Sequence, residues 1–142
     1  MLPKPVAIGG LAAATGVKVP TIRYYEGVGL LPKPSRTDSN RRLYNEDAIS
    51  RLRFIRHARE LGFEIDDIRQ LLRLADEPNR PCREVDAIAK RHVAEIESRM
   101  TRLAALRAEI CRMIDECARD KVSQCRIIEV LSNHGECLNE SH

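Results

Sequence analysis

Residues 84–118 read EVDAIAKRHVAEIESRMTRLAALRAEICRMIDECA, and no Gly or Pro interrupts them. Apolar residues recur at Ala89, Val93, Ile96, Met100, Leu103, Ile110, Ile114 and Cys117. The steps alternate four and three, with one step missed at Arg107. Such a seam, sustained for about four heptads, predicts a single long helix of the coiled-coil kind. A helix of this length exceeds what the rest of a small chain can cover. The seam therefore predicts a partner helix, most simply from a second copy, meeting it through Val93, Ile96, Met100, Leu103, Ile110 and Ile114.

Upstream of the seam the pieces are short. Val6 to Ala14 reads as an apolar-rich helix, Thr15-Gly16-Val17 as a turn, and Val19 to Gly27 as a second helix with Pro20 tolerated in its first turn. Gly29-Leu30-Leu31-Pro32 ends it. Lys33 to Asn40 is a polar loop, and Arg41-Arg42-Leu43-Tyr44 reads as a short strand. Asn45 caps a helix from about Glu46 to Leu61, which Gly62 stops. A further helix spans Asp66 to Leu74, capped near Ile65 or Asp66. Asp76 to Pro81 is a linker rich in turn residues. Beyond the long helix come a loop from Arg119 to Gln124, one or two helical turns over Cys125 to Leu131, and a polar tail. These readings divide the chain into residues 1–75, a hinge at 76–83, a dimerisation helix at 84–118, and a loop and tail at 119–142.

The 142 residues carry a net charge of +3, unevenly spread. Residues 1–59 hold 11 Lys/Arg against 4 Asp/Glu, whereas residues 60–142 hold 13 against 17. A basic module at one end suggests a polyanionic partner there. No run of about 18 apolar residues exists, which predicts no membrane span. The opening Met1-Leu2-Pro3-Lys4-Pro5 lacks the apolar core of a signal peptide. A cytoplasmic location is the resulting expectation, and in that reducing setting the five Cys read as metal ligands or buried thiols. No paired carboxylates, phosphate loop or nucleophile motif argues for an enzyme.

Two short helices joined by a tight turn fit a helix-turn-helix, with the second helix entering the major groove of double-stranded DNA. Lys18, Thr21, Arg23, Tyr24 and Tyr25 are its candidate contacts. Arg bonds guanine edges in pairs, while hydroxyls suit phosphates or base edges. Arg36, Asn40, Arg41, Arg42 and Tyr44 would add a wing of positive charge and polar donors.

The run Thr21-Ile22-Arg23-Tyr24-Tyr25-Glu26, followed by Gly29-Leu30-Leu31-Pro32 and Asn40-Arg41-Arg42-Leu43-Tyr44, strongly resembles the MerR family of transcription regulators. So do Phe54-Ile55-Arg56, Leu61-Gly62-Phe63 and Ile68-Arg69-Gln70-Leu71-Leu72. The resemblance covers all but about the last ten residues. It implies a mainly α fold: a winged helix-turn-helix domain with linking helices, a long antiparallel dimerisation coiled coil, and a C-terminal metal-binding loop. It also implies a homodimer that distorts over-long promoter spacers so that RNA polymerase engages both promoter elements. One departure is Arg41, where many relatives carry Tyr; Arg keeps a phosphate contact available.

Cys82 and Cys117 bracket the long helix, 35 residues and roughly 52 Å apart. One chain cannot bring them together, whereas an antiparallel dimer sets Cys82 of one copy beside Cys117 of the other. Cys125 lies eight residues past Cys117, across a loop able to fold back. The expected site is Cys117 and Cys125 with Cys82 of a second copy. His134 and Cys137 are candidate additional ligands, and a solvated tail is the equal alternative for them. Thiolates select thiophilic ions, here Zn(II) first, then Cd(II), Pb(II) or Hg(II). Monovalent-copper sensors of the family usually lack a Cys at the head of the dimer helix, so Cys82 argues for a divalent ion. Cys111 reads as packing or surface. His92 reads as the polar flank of the seam, about 15 Å along the axis from Cys82.

The expectation is a metal-responsive activator of resistance or efflux genes. The alternatives are a cytosolic metal buffer using the same thiols, and a monovalent-copper or small-molecule sensor on the same scaffold.

Overall fold

The structure is a computed structural model and describes residues 4–34, 36, 38–39, 41–116, 122 and 125–133. Six helices stand among them: α1 (Ile8–Thr15), α2 (Val19–Gly27), α3 (Glu46–Glu60), α4 (Ile65–Ala75), α5 (Arg83–Glu116) and α6 (Arg126–Ser132). The chain folds as two compact units, residues 1–88 and 89–142, so the first turns of α5 belong to the first unit.

In the first unit, α3 packs against both α1 and α4, and α1 against α2. Leu11, Ile22, Leu30, Leu31, Leu52, Ile55 and Ile68 are fully buried between them. The turn between α1 and α2 is built by three residues. Thr15 donates its hydroxyl back to Leu11 O at 2.8 Å and accepts the Val17 N–H at 3.3 Å. Gly16 takes the left-handed conformation, φ 73°, with its N–H on Ala12 O. A side chain there would be strained by chirality and would also strike the Arg56 guanidinium.

α2 has the bounds its sequence predicts. Beyond it, the N–H groups of Leu30 and Leu31 both bond Tyr25 O, at 2.9 and 3.3 Å, which drives the two leucines into the core. The strand expected at Arg41–Tyr44 reduces to two isolated antiparallel bridges, Arg36 with Arg42 and Val6 with Tyr44. The first residue of the expected first helix is thus extended: Val6 exchanges two backbone hydrogen bonds with Tyr44, at 2.9 and 2.7 Å. Asn45 caps α3 through a 3.0 Å bond from Ala48 N–H to its Oδ1. The cap expected near Ile65 or Asp66 falls instead on Glu64, whose side chain does not cap; α4 gains from Asp66 and Asp67 in its first turn.

Several arginines serve the fold. The last carbonyls of a helix have no partner within it, and α3 and α4 supply donors. Arg53 bonds Ala14 O at 3.1 Å and Arg56 bonds Thr15 O at the end of α1. Past α2, Arg69 bonds Val28 O at 2.6 Å and Arg51 bonds Leu30 O at 3.0 Å. Arg59 bonds Phe63 O at 2.9 Å beyond α3. Four of the 11 cations in residues 1–59 are therefore engaged by carbonyl groups of the fold.

Tyr44 is 2% exposed and donates its hydroxyl to Glu26 Oε2 at 2.9 Å. Burial first, then the hydrogen bond to the Glu26 carboxylate, pushes the phenol up to about 12.

In the second unit, α5 leaves Val93, Ile96, Met100, Leu103, Ile110 and Ile114 exposed, with Met100 at 63%. Their exposure is as the seam reading requires. On other faces of the helix, Glu109 and Met113 are buried, and His92 is 6% exposed. His92, expected as the polar flank of the seam, is thus a buried polar residue; its Nδ1 lies 3.9 Å from Glu95.

Gly16→Ala is expected to destabilise the protein by about 1–3 kcal/mol, from the left-handed backbone and the displaced Arg56; a denaturant titration measures it. A tyrosine whose folded pKa is raised binds its proton more tightly when folded, so it contributes stability below pH 10 that is lost as pH rises through about 12. Wild type should accordingly lose more stability than Tyr44→Phe over that window, read as paired melts at each pH.

Candidate nucleic-acid interface and thiol centre

At 100° per residue, α2 turns Ile22, Tyr25 and Glu26 to the core and Arg23 and Tyr24 to solvent. Lys18 stands exposed at the position before the helix, Thr21 is half-buried, and Tyr24 is 55% exposed. Tyr25 is a core residue, its ring 5.9 Å from that of Tyr24 and tilted to it. Tyr25 and Tyr44, both expected among the DNA contacts, are thus placed in the core. Both rings fill the core, and the Tyr44 hydroxyl is already engaged by Glu26.

Arg23 of α2 meets Arg36, Arg41 and Arg42 around a groove of about 290 Å³, whose other walls are Ala7, Ile8 and Tyr44. Arg36 and Arg41 are exposed and Arg42 is half-buried. The groove joins the recognition helix, the wing and the start of α1. Four guanidinium groups converging on one groove are suited to phosphate oxygens, which Arg takes in pairs of hydrogen bonds. Asn40 lies outside the described residues. A second groove, about 380 Å³, runs beside the turn and is lined by Lys18, Thr21, Arg56, Arg59 and Glu60 among others. The sequence reading missed Glu26, a carboxylate buried to 7% exposure on the recognition helix. It sits four residues after Ile22, a core position, and that spacing was the available signal.

The thiols divide between the two units. Cys82 is free and exposed immediately before α5, and its carbonyl accepts the Asp86 N–H at 2.9 Å. Cys111 and Cys125 are half-buried, Cys125 at the position before α6. Cys117, His134 and Cys137 lie outside the described residues. Among the described residues, no three His, Cys, Asp or Glu side chains gather as a metal site within one chain. Thiols at the heads of two helices nevertheless have the donor chemistry of a soft-metal site.

The flanks of the loop between α5 and α6 are joined by charge. Arg126 Nε donates to Glu116 Oε2 at 2.8 Å, and Arg112 bonds both oxygens of the same carboxylate at 3.1 and 3.2 Å. The Arg126 hydrogen bond, helped by Arg112, holds the Glu116 carboxyl below its ordinary range. Ahead of α5, Arg80 spans Glu77 at 2.6 Å and Glu84 at 2.7 Å, tying the segment that carries Cys82 to the first turn of α5.

Residues 6–75 match the family described as MerR HTH family regulatory protein, and residues 49–113 match the family described as MerR, DNA binding. The heavy metal-dependent transcription regulator 2 of Rhizobium meliloti is 34% identical over 132 residues, covering 93% of this chain and 90% of its own. The mercuric resistance operon regulatory protein of Serratia marcescens is 36% identical, with 92% and 90% covered. Among solved structures, the transcription regulator PbrR691 from Ralstonia metallidurans CH34, in complex with lead(II), is 39% identical with a TM-score of 0.78, over 89% of this chain and 98% of that one. These relatives are transcription regulators, not enzymes, and the helix-turn-helix with its following long helix is the fold they share. Likeness at this identity and over this much of the chain means that the protein belongs to the MerR family of transcription regulators.

Proposed function

We propose that the protein is a cytoplasmic, divalent-metal-responsive transcription regulator that acts as a homodimer on promoter DNA. The observation that carries the reading is the free, exposed Cys82 at the head of a helix whose apolar seam is left in water. A seam of six exposed apolar residues is stabilised by a second copy of itself. Run antiparallel, the two copies bring Cys82 of one to the α5 end of the other, where Cys117 and Cys125 stand. Those three thiolates would hold the ion, with His134 and Cys137 able to complete its shell. Zn(II) is the first candidate and Cd(II), Pb(II) and Hg(II) follow; relatives described as heavy metal-dependent, as mercuric resistance regulators, and in complex with lead(II) support a heavy-metal effector in general.

The residues then divide the work. Residues 1–75 bind DNA, 76–83 serve as hinge, the helix to residue 118 holds the dimer, and residues 119–142 hold metal. Arg23 and the wing arginines grip phosphates; Lys18, Thr21 and Tyr24 meet the major groove of the DNA. The ion supplies a cross-link between the α5–α6 loop of one copy and the hinge of the other. It shifts the regulator only by favouring one of two arrangements. The arrangement it favours distorts the promoter spacer so that RNA polymerase engages both elements, and the genes controlled are those of metal resistance or efflux.

Metal titration of the reduced, metal-free protein tests the site. Thiolate-to-metal absorption should saturate at about one divalent ion per protomer. Cys82→Ser should weaken binding by at least the ~10–100-fold that loss of even an outer-shell partner costs. Indifference to Cys82, or a preference for Cu(I), would move the protein to another sensor class. Cys82→Ser, Cys117→Ser and Cys125→Ser should each abolish metal-dependent transcription while leaving DNA affinity nearly intact; loss of DNA binding in all three would make the metal purely structural. On the DNA side, Arg36→Ala and Arg42→Ala should each lower the slope of log affinity against log salt by about one. Unchanged slopes in both would remove the wing from the interface.

A further inference from the structure

A buried carboxylate on a recognition helix otherwise surrounded by cations needs a reason. Glu26 has one oxygen on the Tyr44 hydroxyl, while its Oε1 is buried with no hydrogen-bond partner among the described residues. Leaving such an oxygen unsatisfied costs free energy. The bond that accompanies it joins parts of the chain that are remote in sequence. Tyr44 is hydrogen-bonded through its backbone to Val6 at the entry to α1, and it ends the segment whose Arg42 pairs with Arg36. Through its hydroxyl it reaches α2, one turn from Arg23. One side chain thus connects the wing, the start of α1 and the recognition helix, the three walls of the arginine groove.

We infer that the Glu26–Tyr44 hydrogen bond is a positioning pair for DNA recognition: it fixes the wing arginines against the recognition helix, so that phosphates and base edges are engaged in one register. Neither side chain touches DNA. Phosphate contacts orient a protein on the duplex and base contacts specify the site, so a loose offset between them costs sequence-specific binding most. The raised Tyr44 pKa keeps the hydroxyl a donor at all physiological pH values. The inference rests on α2 and the wing being the DNA-binding face, and the experiment separates the two ideas.

The probes are the duplex that wild-type protein selects from a random-sequence library and a scrambled duplex of the same length. Tyr44→Phe keeps the ring in the core and removes only the hydroxyl. It should lower affinity for the selected duplex about tenfold and for the scrambled one less than about twofold, with the salt slope unchanged, because no phosphate contact is lost. Glu26→Gln keeps an oxygen acceptor for the hydroxyl and should stay within about threefold of wild type. Asn45→Ala, which loosens α3 by about 1 kcal/mol without touching the pair, is the stability control and should leave the affinity ratio unchanged.

Equal losses for Tyr44→Phe on both duplexes, or no loss on either, would overturn the inference. So would a fall in the ratio as large for Asn45→Ala. If Arg23→Ala and Arg42→Ala also leave both affinities unchanged, the interface itself is misplaced. If they weaken binding while Tyr44→Phe does not, only the positioning role fails.

Discussion

The carbonyl groups at the ends of α1 and α2 must find donors, and the way they find them places the recognition helix. Both helices are too short to persist alone in water. Arg53 and Arg56 reach from α3 to the end of α1, and Arg51 and Arg69 reach from α3 and α4 to the segment after α2. Each bond sets a cation near the negative end of a helix dipole. Beneath them, Leu11, Ile22, Leu52 and Ile55 bury the apolar faces that give the assembly its stability. The polar bonds then fix where each helix ends, which apolar packing alone specifies weakly. An exposed Arg23 and Tyr24 on α2 follow from that placement, because the opposite face is committed to the core.

The second unit is governed by the reverse situation, an apolar face with nothing over it. Met100 and Leu103 lie near the middle of α5 and are more than half exposed. Scattered surface leucines need no explanation, but six apolar positions at heptad spacing along one helix do. A second copy is the occupant that such self-similar spacing suits best. Under the proposed antiparallel arrangement the dimer is also what completes the metal site, so oligomerisation and sensing draw on the same helix.

Local chemistry was legible in the sequence and non-local pairing was not. The bounds of α2, the Asn45 cap and the α5 seam follow from spacing over a few residues, and the residues that set them are neighbours in the chain. Tyr44 reads equally well as a wing contact or a core ring, because a tyrosine presents an apolar body and a polar tip. Its hydroxyl finds its partner in Glu26, 18 residues away. The arginines of α3 raise the same difficulty. A charge count registers Arg53 and Arg56 as cations available to a polyanion, whereas their partners are carbonyl groups 39 and 41 residues earlier. The burial of His92 was illegible for a related reason: heptad position identifies the seam, but it does not say which other faces of the helix are covered.

Paired charges also bear on which metals the proposed thiol site prefers. Carboxylates beside Cys117 suggest oxygen donors and hence a harder ion. Glu116, the residue before Cys117, is already bonded to two guanidinium groups. A carboxylate held this way gives up charge-assisted hydrogen bonds if it turns to a metal. The pairing thus makes oxygen a poor competitor at that position and leaves sulfur as the main donor. Sulfur-rich sites favour soft ions over hard ones, and among soft ions the number of donors and their geometry decide. Three thiolates leave one position of a closed Zn(II) site to be filled, since such a site takes four ligands. Selectivity among the candidates therefore turns on whether His134, Cys137 or water supplies the fourth position, rather than on Glu116.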